Sequence, residues 1–202
     1  MIAKANSDVS DNLPSLCTAF VQLRGQHRTA ILARAGRVVT GPSVMRVFNK
    51  GTRKDVLKAL SRIEIEALGK IDDEETYRAW FKSGLEAVHK VIKSHNESNA
   101  RLGNGAKWGH ATKVLSLYVR EVVLCSRYFS DGESERISRL LYVPIDGVIM
   151  KRLRALGVEL RFSAIKEINS PREFFAVQEM LFAAAAKAEI PAVWFDDVWA
   201  ER

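Results

Sequence analysis

The centre of this sequence is one helical stretch, residues 109–124, which read GHATKVLSLYVREVVL. From Ala111 to Leu124 the spacing predicts a helix with apolar side chains on almost every side, and helices of that kind lie buried. Gly109 before the helix is typical of a tight turn, which puts Lys113 in the first helical turn. We therefore expect a buried central helix with a lysine near its start.

A second motif is Val143-Pro144-Ile145-Asp146, whose aspartate lies 33 residues after Lys113. The residue before a proline favours extended backbone, so the motif predicts an extended segment that leads into a helix capped by Asp146. We expect this helix to run through Met150 and to end near Gly157.

These two helix starts would give a lysine and an aspartate complementary chemistry. The positive end of the helix dipole and burial both favour the neutral amine of Lys113, which can attack a sugar C1′ and form a Schiff base. The same dipole stabilises the Asp146 carboxylate, which can stabilise a cationic sugar and help to deprotonate the amine. We therefore expect both residues to face one cleft. The alternative is an exposed lysine and an ordinary helix cap.

Most other segments also have helical spacing, and few alternate with period two as a half-buried strand does. We therefore expect an all-α fold of nine or ten helices. The helix-start signals are Thr52 with Asp55, Asp72 with Glu75, and Ser170 with Pro171 and Glu173. The expected helices include residues 15–35 with a bend or break at Gly25, a helix after Thr52, and residues 72–95, 130–141 and 171–188.

The composition narrows the class of protein. A formal net charge of +7 favours a polyanionic partner such as nucleic acid. The two cysteines, Cys17 and Cys125, lie outside any metal-binding spacing, which is typical of reduced cytoplasmic thiols. No apolar run is long enough for a membrane span, and residues 1–14, which we expect to be a loose arm, lack the apolar core of a signal peptide. We expect a soluble cytoplasmic protein without a bound metal.

The two central motifs resemble those of the helix-hairpin-helix base-excision DNA glycosylases, in particular the 8-oxoguanine DNA glycosylases. In that family a Gly-rich hairpin precedes a nucleophilic lysine, which Lys113 matches. A Val-Pro-Val-Asp segment carries the catalytic aspartate, which Asp146 matches. The resemblance covers residues 103–155, and the spacing of the motifs is closest to the compact archaeal type.

The hairpin departs from the family pattern of Leu-Pro-Gly-Val-Gly. In this chain Gly105 and Gly109 flank Lys107 and Trp108. This departure leaves Lys107 as an alternative nucleophile.

The resemblance implies two helical lobes with a cleft between them, formed by residues 55–155 and by residues 15–54 with 156–202. It implies a monomeric enzyme without a cofactor that flips a damaged base out of double-stranded DNA and excises it. A lysine nucleophile implies AP lyase activity as well. An 8-oxoguanine-type purine is the first substrate that we expect.

Further residues are candidates for contacts to the base and to DNA. For the base pocket we expect Trp108, Trp194, Asp196, Asp197, Trp199 and Gln26. For DNA we expect Gly105, Lys107, Gly109 and His110 in the hairpin, and Lys50, Arg53 and Lys54 as a phosphate seat at a helix start. The alternatives are a C-terminal segment that docks on the core through its aromatic residues and a solvated basic helix end.

Two other functions fit the same sequence. The chain could be a glycosylase for a hypermodified base of bacteriophage DNA, which would give it a role in anti-phage defence. It could also be a non-catalytic helical module that binds DNA or RNA. Release of a base separates the two glycosylase hypotheses from the third.

Overall fold

The computed structural model of the protein describes residues 13–99 and 107–200. Within these ranges the chain forms nine α-helices and no strand, so the all-α prediction is confirmed. The helices are α1 (Leu13–Val39), α2 (Pro42–Met45), α3 (Thr52–Leu60), α4 (Glu74–His95), α5 (Trp108–Arg120), α6 (Asp131–Ser138), α7 (Gly147–Ala155), α8 (Pro171–Lys187) and α9 (Trp194–Ala200). Short 3₁₀ turns span Ile65–Lys70 and Ile165–Glu167, and a π-helical turn, Glu121–Cys125, continues α5.

The central helix α5 is the middle of the hydrophobic core. Its side chains Val114, Leu115 and Tyr118 are fully or almost fully buried. Its most extensive contact is with α4. An aromatic cluster fills the space between α4, α8 and the extended segment before α7, with Tyr142 against Phe81 at a ring-centroid distance of 4.9 Å. Helix α5 is apolar on almost every side because other elements pack against most of its sides, as the sequence predicts.

Local signals set several helix starts. Ser130 and Glu133 form a reciprocal capping box at the start of α6, and Ser170 caps α8 with Pro171 in the first turn. These pairs satisfy backbone N–H groups that have no partner inside the helix.

Two predicted caps are wrong. Gly51, with φ +95°, caps α3 in place of Thr52, because Thr52 is already helical and its buried hydroxyl accepts a hydrogen bond from Asn96. Asp73 caps α4 in place of Asp72 by accepting from the backbone N–H of Thr76. Asp72 instead pairs with Arg136, at 2.7 Å.

The first helix is longer than its sequence pattern predicts. It starts at Leu13, inside the expected N-terminal arm, and passes through Gly25 without a break as far as Val39. Residues 1–12 of that arm lie outside the described residues. A single glycine costs a helix about 1 kcal/mol relative to alanine, which is too little to end a helix of this length.

The start of α5 also differs from its prediction. The helix begins at Trp108, three residues before Ala111, and Lys107 caps it with a left-handed φ of 64°. Lys113 is therefore in the second turn and not in the first. Because the effect of the helix dipole falls off within the first turn, the dipole acts on Lys113 more weakly than expected.

Within residues 13–99 and 107–200, none of the helices combines the length and the apolar character that crossing a membrane requires.

Candidate active site

Lys113 and Asp146 are in contact. Lys113 Nζ donates a hydrogen bond to Asp146 Oδ2 at 3.1 Å, and the two side chains are 26% and 28% exposed. The pair joins α5 to the start of α7, so it is a tertiary contact and not a consequence of neighbouring positions in the chain. Because both side chains are partly buried, water screens the attraction between them less than it screens a fully exposed ion pair.

Asp146 divides its two carboxylate oxygens between two tasks. Oδ1 accepts hydrogen bonds from the backbone N–H groups of Val148, at 2.8 Å, and Ile149, at 3.1 Å, and so caps α7. Oδ2 faces Lys113. The buried residues Pro144 and Ile145 anchor the backbone on the other side. The carboxylate is thus held in place before any ligand binds.

The C-terminal helix α9 brings two further carboxylates to the site. Arg120 Nε lies 3.6 Å from Asp196 Oδ2, and Arg120 Nη2 donates to Asp197 Oδ1. Because Arg120 is seven residues after Lys113, the two lie on the same face of α5. Helix α9 also packs against α7, so its acidic first turn lies close to Asp146.

Asp146 and Asp196, two carboxylates near Lys113, have different surroundings. Burial raises the pKa of Asp196, as do the negative charges of Asp146 and Asp197, while the cations Arg120 and Lys113 oppose the rise. Asp146, in contrast, accepts two backbone hydrogen bonds and one ammonium hydrogen bond.

His110 lies one turn before Lys113 on α5. Its ring packs edge-on against Phe48, with a centroid distance of 5.6 Å. Burial lowers the pKa of His110 to about 4, and the positive charges of Lys113 and Lys107 contribute to this shift. His110 is therefore a neutral imidazole at pH 7, which places no further positive charge beside the lysine.

This lowered pKa predicts a loss of stability in mild acid. The unfolded chain binds a proton at His110 below its ordinary pKa of 6.5, whereas the folded chain does so only near 4. Protonation of His110 therefore does not reduce the free energy of unfolding above pH 6.5. As the pH drops towards 4 the free energy of unfolding falls, by about 1.4 kcal/mol at pH 5.5 from this group alone. Urea unfolding at pH 7.5 and 5.5 should show this loss in the wild type and a smaller loss in His110→Leu. Equal losses in both proteins would contradict the prediction.

Gly109 has a packing role in the structure. Its backbone N–H donates to the carbonyl of Ile168 at 3.1 Å, and a Cβ at this position would lie 1.9 Å from the carbonyl oxygen of Ile165. The residue lets the start of α5 approach the 3₁₀ turn Ile165–Glu167. Its expected partner Gly105 lies outside the described residues, so a hairpin contact to DNA stays a prediction.

Two of the aromatic residues predicted for the base pocket stack on neighbouring rings. Trp108 stacks on His89 at a ring-centroid distance of 3.5 Å, and Trp199 stacks on Phe195 at 4.8 Å. Trp194 is 46% exposed on α9. Docking of the C-terminal aromatics onto the core, the alternative that the sequence left open, thus describes Phe195 and Trp199 well, since both pack against it.

The remaining candidate residues lie on α1 and at the starts of α3 and α5. Gln26 lines a shallow groove formed by α1 side chains alone, among them Gln22. Lys107 is buried at the start of α5, with 5% exposure. Three exposed cations lie at or beside the start of α3, namely Lys50, Arg53 and Lys54.

Arg120 is the residue of this site that the sequence interpretation missed. A signal was present, because an arginine seven residues after Lys113 must share its face of a helix. Its partners Asp196 and Asp197 could not be paired with it, since nothing local fixes where the C-terminal segment docks.

Comparison with known proteins gives no relative for this chain: none of the protein-family models, curated proteins or solved structures that we compared matches it.

Proposed function

We propose that this protein is a DNA glycosylase with AP lyase activity that excises a modified base from double-stranded DNA. The observation that carries the proposal is the 3.1 Å contact between Lys113 Nζ and Asp146 Oδ2. Both residues match the catalytic positions of the helix-hairpin-helix glycosylases, and they come from separate elements. A two-lobed architecture of that family, with an 8-oxoguanine-type purine as the first substrate, belongs to the same proposal.

The proposed reaction uses the pair directly. Lys113 loses a proton towards Asp146, and the amine lone pair attacks C1′ of the flipped nucleotide as the bond from C1′ to the base nitrogen breaks. The base leaves with that electron pair and takes up a proton. The product is an aminal, in which C1′ is bonded to both Nζ and the ring oxygen O4′. The C1′–O4′ bond then breaks, O4′ takes up the second proton that Nζ gives up, and a Schiff base forms between C1′ and Nζ. Removal of a C2′ proton from this Schiff base expels the 3′ phosphate by β-elimination. Asp146 stabilises the positive charge that develops on the sugar.

Asp196 and its neighbours supply a contact for the base in this proposal. Burial raises the pKa of Asp196, and its carboxyl oxygens can accept hydrogen bonds from the edge of a base. Trp194, the exposed aromatic residue of α9, offers a surface for stacking. Arg120 fixes this helix relative to Lys113 through its two aspartates.

Borohydride trapping on a panel of duplexes tests the proposal. The panel contains 8-oxoguanine, uracil and glucosylated cytosine, each with a matched undamaged duplex, and base release is followed in parallel. We expect a covalent protein–DNA adduct with at least one modified duplex. The glucosylated substrate distinguishes a defence enzyme from a repair enzyme. Salt-sensitive DNA binding without any adduct or released base would instead favour a non-catalytic module.

The variant Asp146→Asn should slow base release by on the order of 10²-fold to 10³-fold, because it removes the charge that stabilises the cationic sugar. Asparagine is as good a helix cap as aspartate, so α7 should keep its start and the protein its thermal stability.

The matched control is Asp73→Asn. Asp73 also caps a helix through its carboxylate, at the start of α4, and the exchange removes one charge there too. Base release by this variant should match the wild type. Equal slowing in the two variants would assign the effect to a general loss of charge and contradict the role of Asp146.

A further inference from the structure

A groove between α3 and α4 has a strongly basic lining. It has a volume of about 410 Å³, and its charged lining residues include Lys58, Arg62 and Lys90. All three are exposed. Within the described residues none of them forms an ion pair. Three cations therefore face solvent around one depression, at a surface that the proposed excision reaction does not use.

The carboxylate among the lining residues is already engaged. Asp55 Oδ2 lies 2.6 Å from His95 Nε2, across the groove from α3 to α4. Its charge is thus directed towards the imidazole. Asp55 still contributes one negative charge against the three cations Lys58, Arg62 and Lys90, so the described lining of the groove is net positive.

Helix geometry extends this basic surface along α3. Lys54 and Lys58 are four residues apart, which places them on one face about 6 Å apart along the axis. Arg62 follows in the turn after the helix, where its N–H bonds to the carbonyl of Ala59. A row of cations along a helix matches a linear polyanion better than a compact one, and duplex DNA carries about one charge per 1.7 Å of its axis.

The loop before α3 links this surface to the candidate active site. Its backbone is fixed by Asn96, whose Oδ1 accepts from the N–H of Asn49 at 2.7 Å. In the same loop Phe48 contacts His110, one turn before Lys113. The basic surface thus starts on the helix that directly follows a segment in contact with α5.

We propose that the groove between α3 and α4, through Lys58, Arg62 and Lys90, is a second binding surface for the phosphate backbone of duplex DNA. It binds DNA independently of sequence and of any modified base, and holds the duplex outside the excision site. The proposal goes beyond the excision reaction, because it needs only a duplex and no base release.

The test compares two triple variants for binding to an unmodified 20-base-pair duplex, by fluorescence anisotropy between 50 and 200 mM salt. The groove variant is Lys58→Gln, Arg62→Gln, Lys90→Gln. The control is Lys166→Gln, Arg172→Gln, Lys187→Gln, which removes the same residue types from exposed positions near and on α8. Because all six residues are exposed, both variants should fold, as circular dichroism will verify.

We expect the groove variant to bind at least about tenfold more weakly at 50 mM salt. The slope of log K against log salt should become less steep by up to about 2.7, or about 0.9 for each lost phosphate contact. The control should lose less than a third of that slope. Equal losses in the two variants, or no loss in the groove variant, would overturn the proposal. Groove-dependent binding to phosphatidylserine vesicles without an effect on DNA would overturn it as well.

Discussion

Replacing Lys113 with glutamine should abolish borohydride trapping on any duplex that the wild-type protein cleaves, with a loss on the order of 10³-fold or more. Glutamine has no nucleophilic amine, so no Schiff base can form. Its amide can still donate a hydrogen bond to Asp146, and it is a good helix former at this position of α5. The fold should therefore persist, and the loss should be chemical. Adduct formation on denaturing gels measures it directly.

Two lysine controls make the outcome specific. Lys107→Gln removes the alternative nucleophile, which is buried at the start of α5, and Lys82→Gln removes an exposed lysine of α4. Lys82→Gln should trap as the wild type does. Full trapping by Lys113→Gln together with none by Lys107→Gln would transfer the nucleophilic role to Lys107. Full trapping by all three variants would show that none of these lysines is the nucleophile and would contradict the role of Lys113.

The second large effect concerns stability and centres on Gly109. The Cβ of alanine there would overlap the carbonyl oxygen of Ile165, at 1.9 Å, and press on the Ile168 side chain at 3.0 Å. Because these are backbone and buried atoms, either α5 or the segment around Ile165 must move. We expect Gly109→Ala to lower the free energy of unfolding by about 3 kcal/mol or more. Chemical denaturation measures this loss.

Gly132→Ala is the matched control for this prediction. Gly132 lies in α6, and nothing lies within 4 Å of an added Cβ. Alanine should leave the stability unchanged or raise it by up to about 1 kcal/mol, because it is the better helix former. A similar small effect at both glycines would show that the start of α5 adapts easily, and that its close approach to Ile165 has little energetic weight.

The sequence predicted those features that depend on local chemistry. The cap of Ser170 on the backbone N–H of Glu173 joins residues three apart and needs no information from the rest of the chain. The cap formed by Asp146 follows from the proline two residues earlier. The contact of this residue with Lys113 was expected from two helix starts and from the family resemblance, and the structure places the two side chains at hydrogen-bond distance.

Features that depend on long-range packing could not be predicted. Thr52 has the chemistry of a cap, but its hydroxyl accepts from Asn96, 44 residues away. Trp108 has the chemistry of a base-stacking residue, but it lies flat on His89 of the neighbouring helix. In both cases the side chain has a tertiary partner from a distant part of the chain, and the local sequence does not predict that partner.

The split use of Asp146 also limits which residues can replace it. To cap α7, the residue at this position needs only a side-chain acceptor that reaches the first backbone N–H groups of the helix. Asparagine and serine also provide such an acceptor. The ion pair asks for a second oxygen that is negatively charged and points the other way. Glutamate supplies the charge, but its extra methylene moves the acceptor. Selection for a stably folded protein would thus accept several residues at position 146, whereas selection for the ion pair with Lys113 would keep aspartate alone.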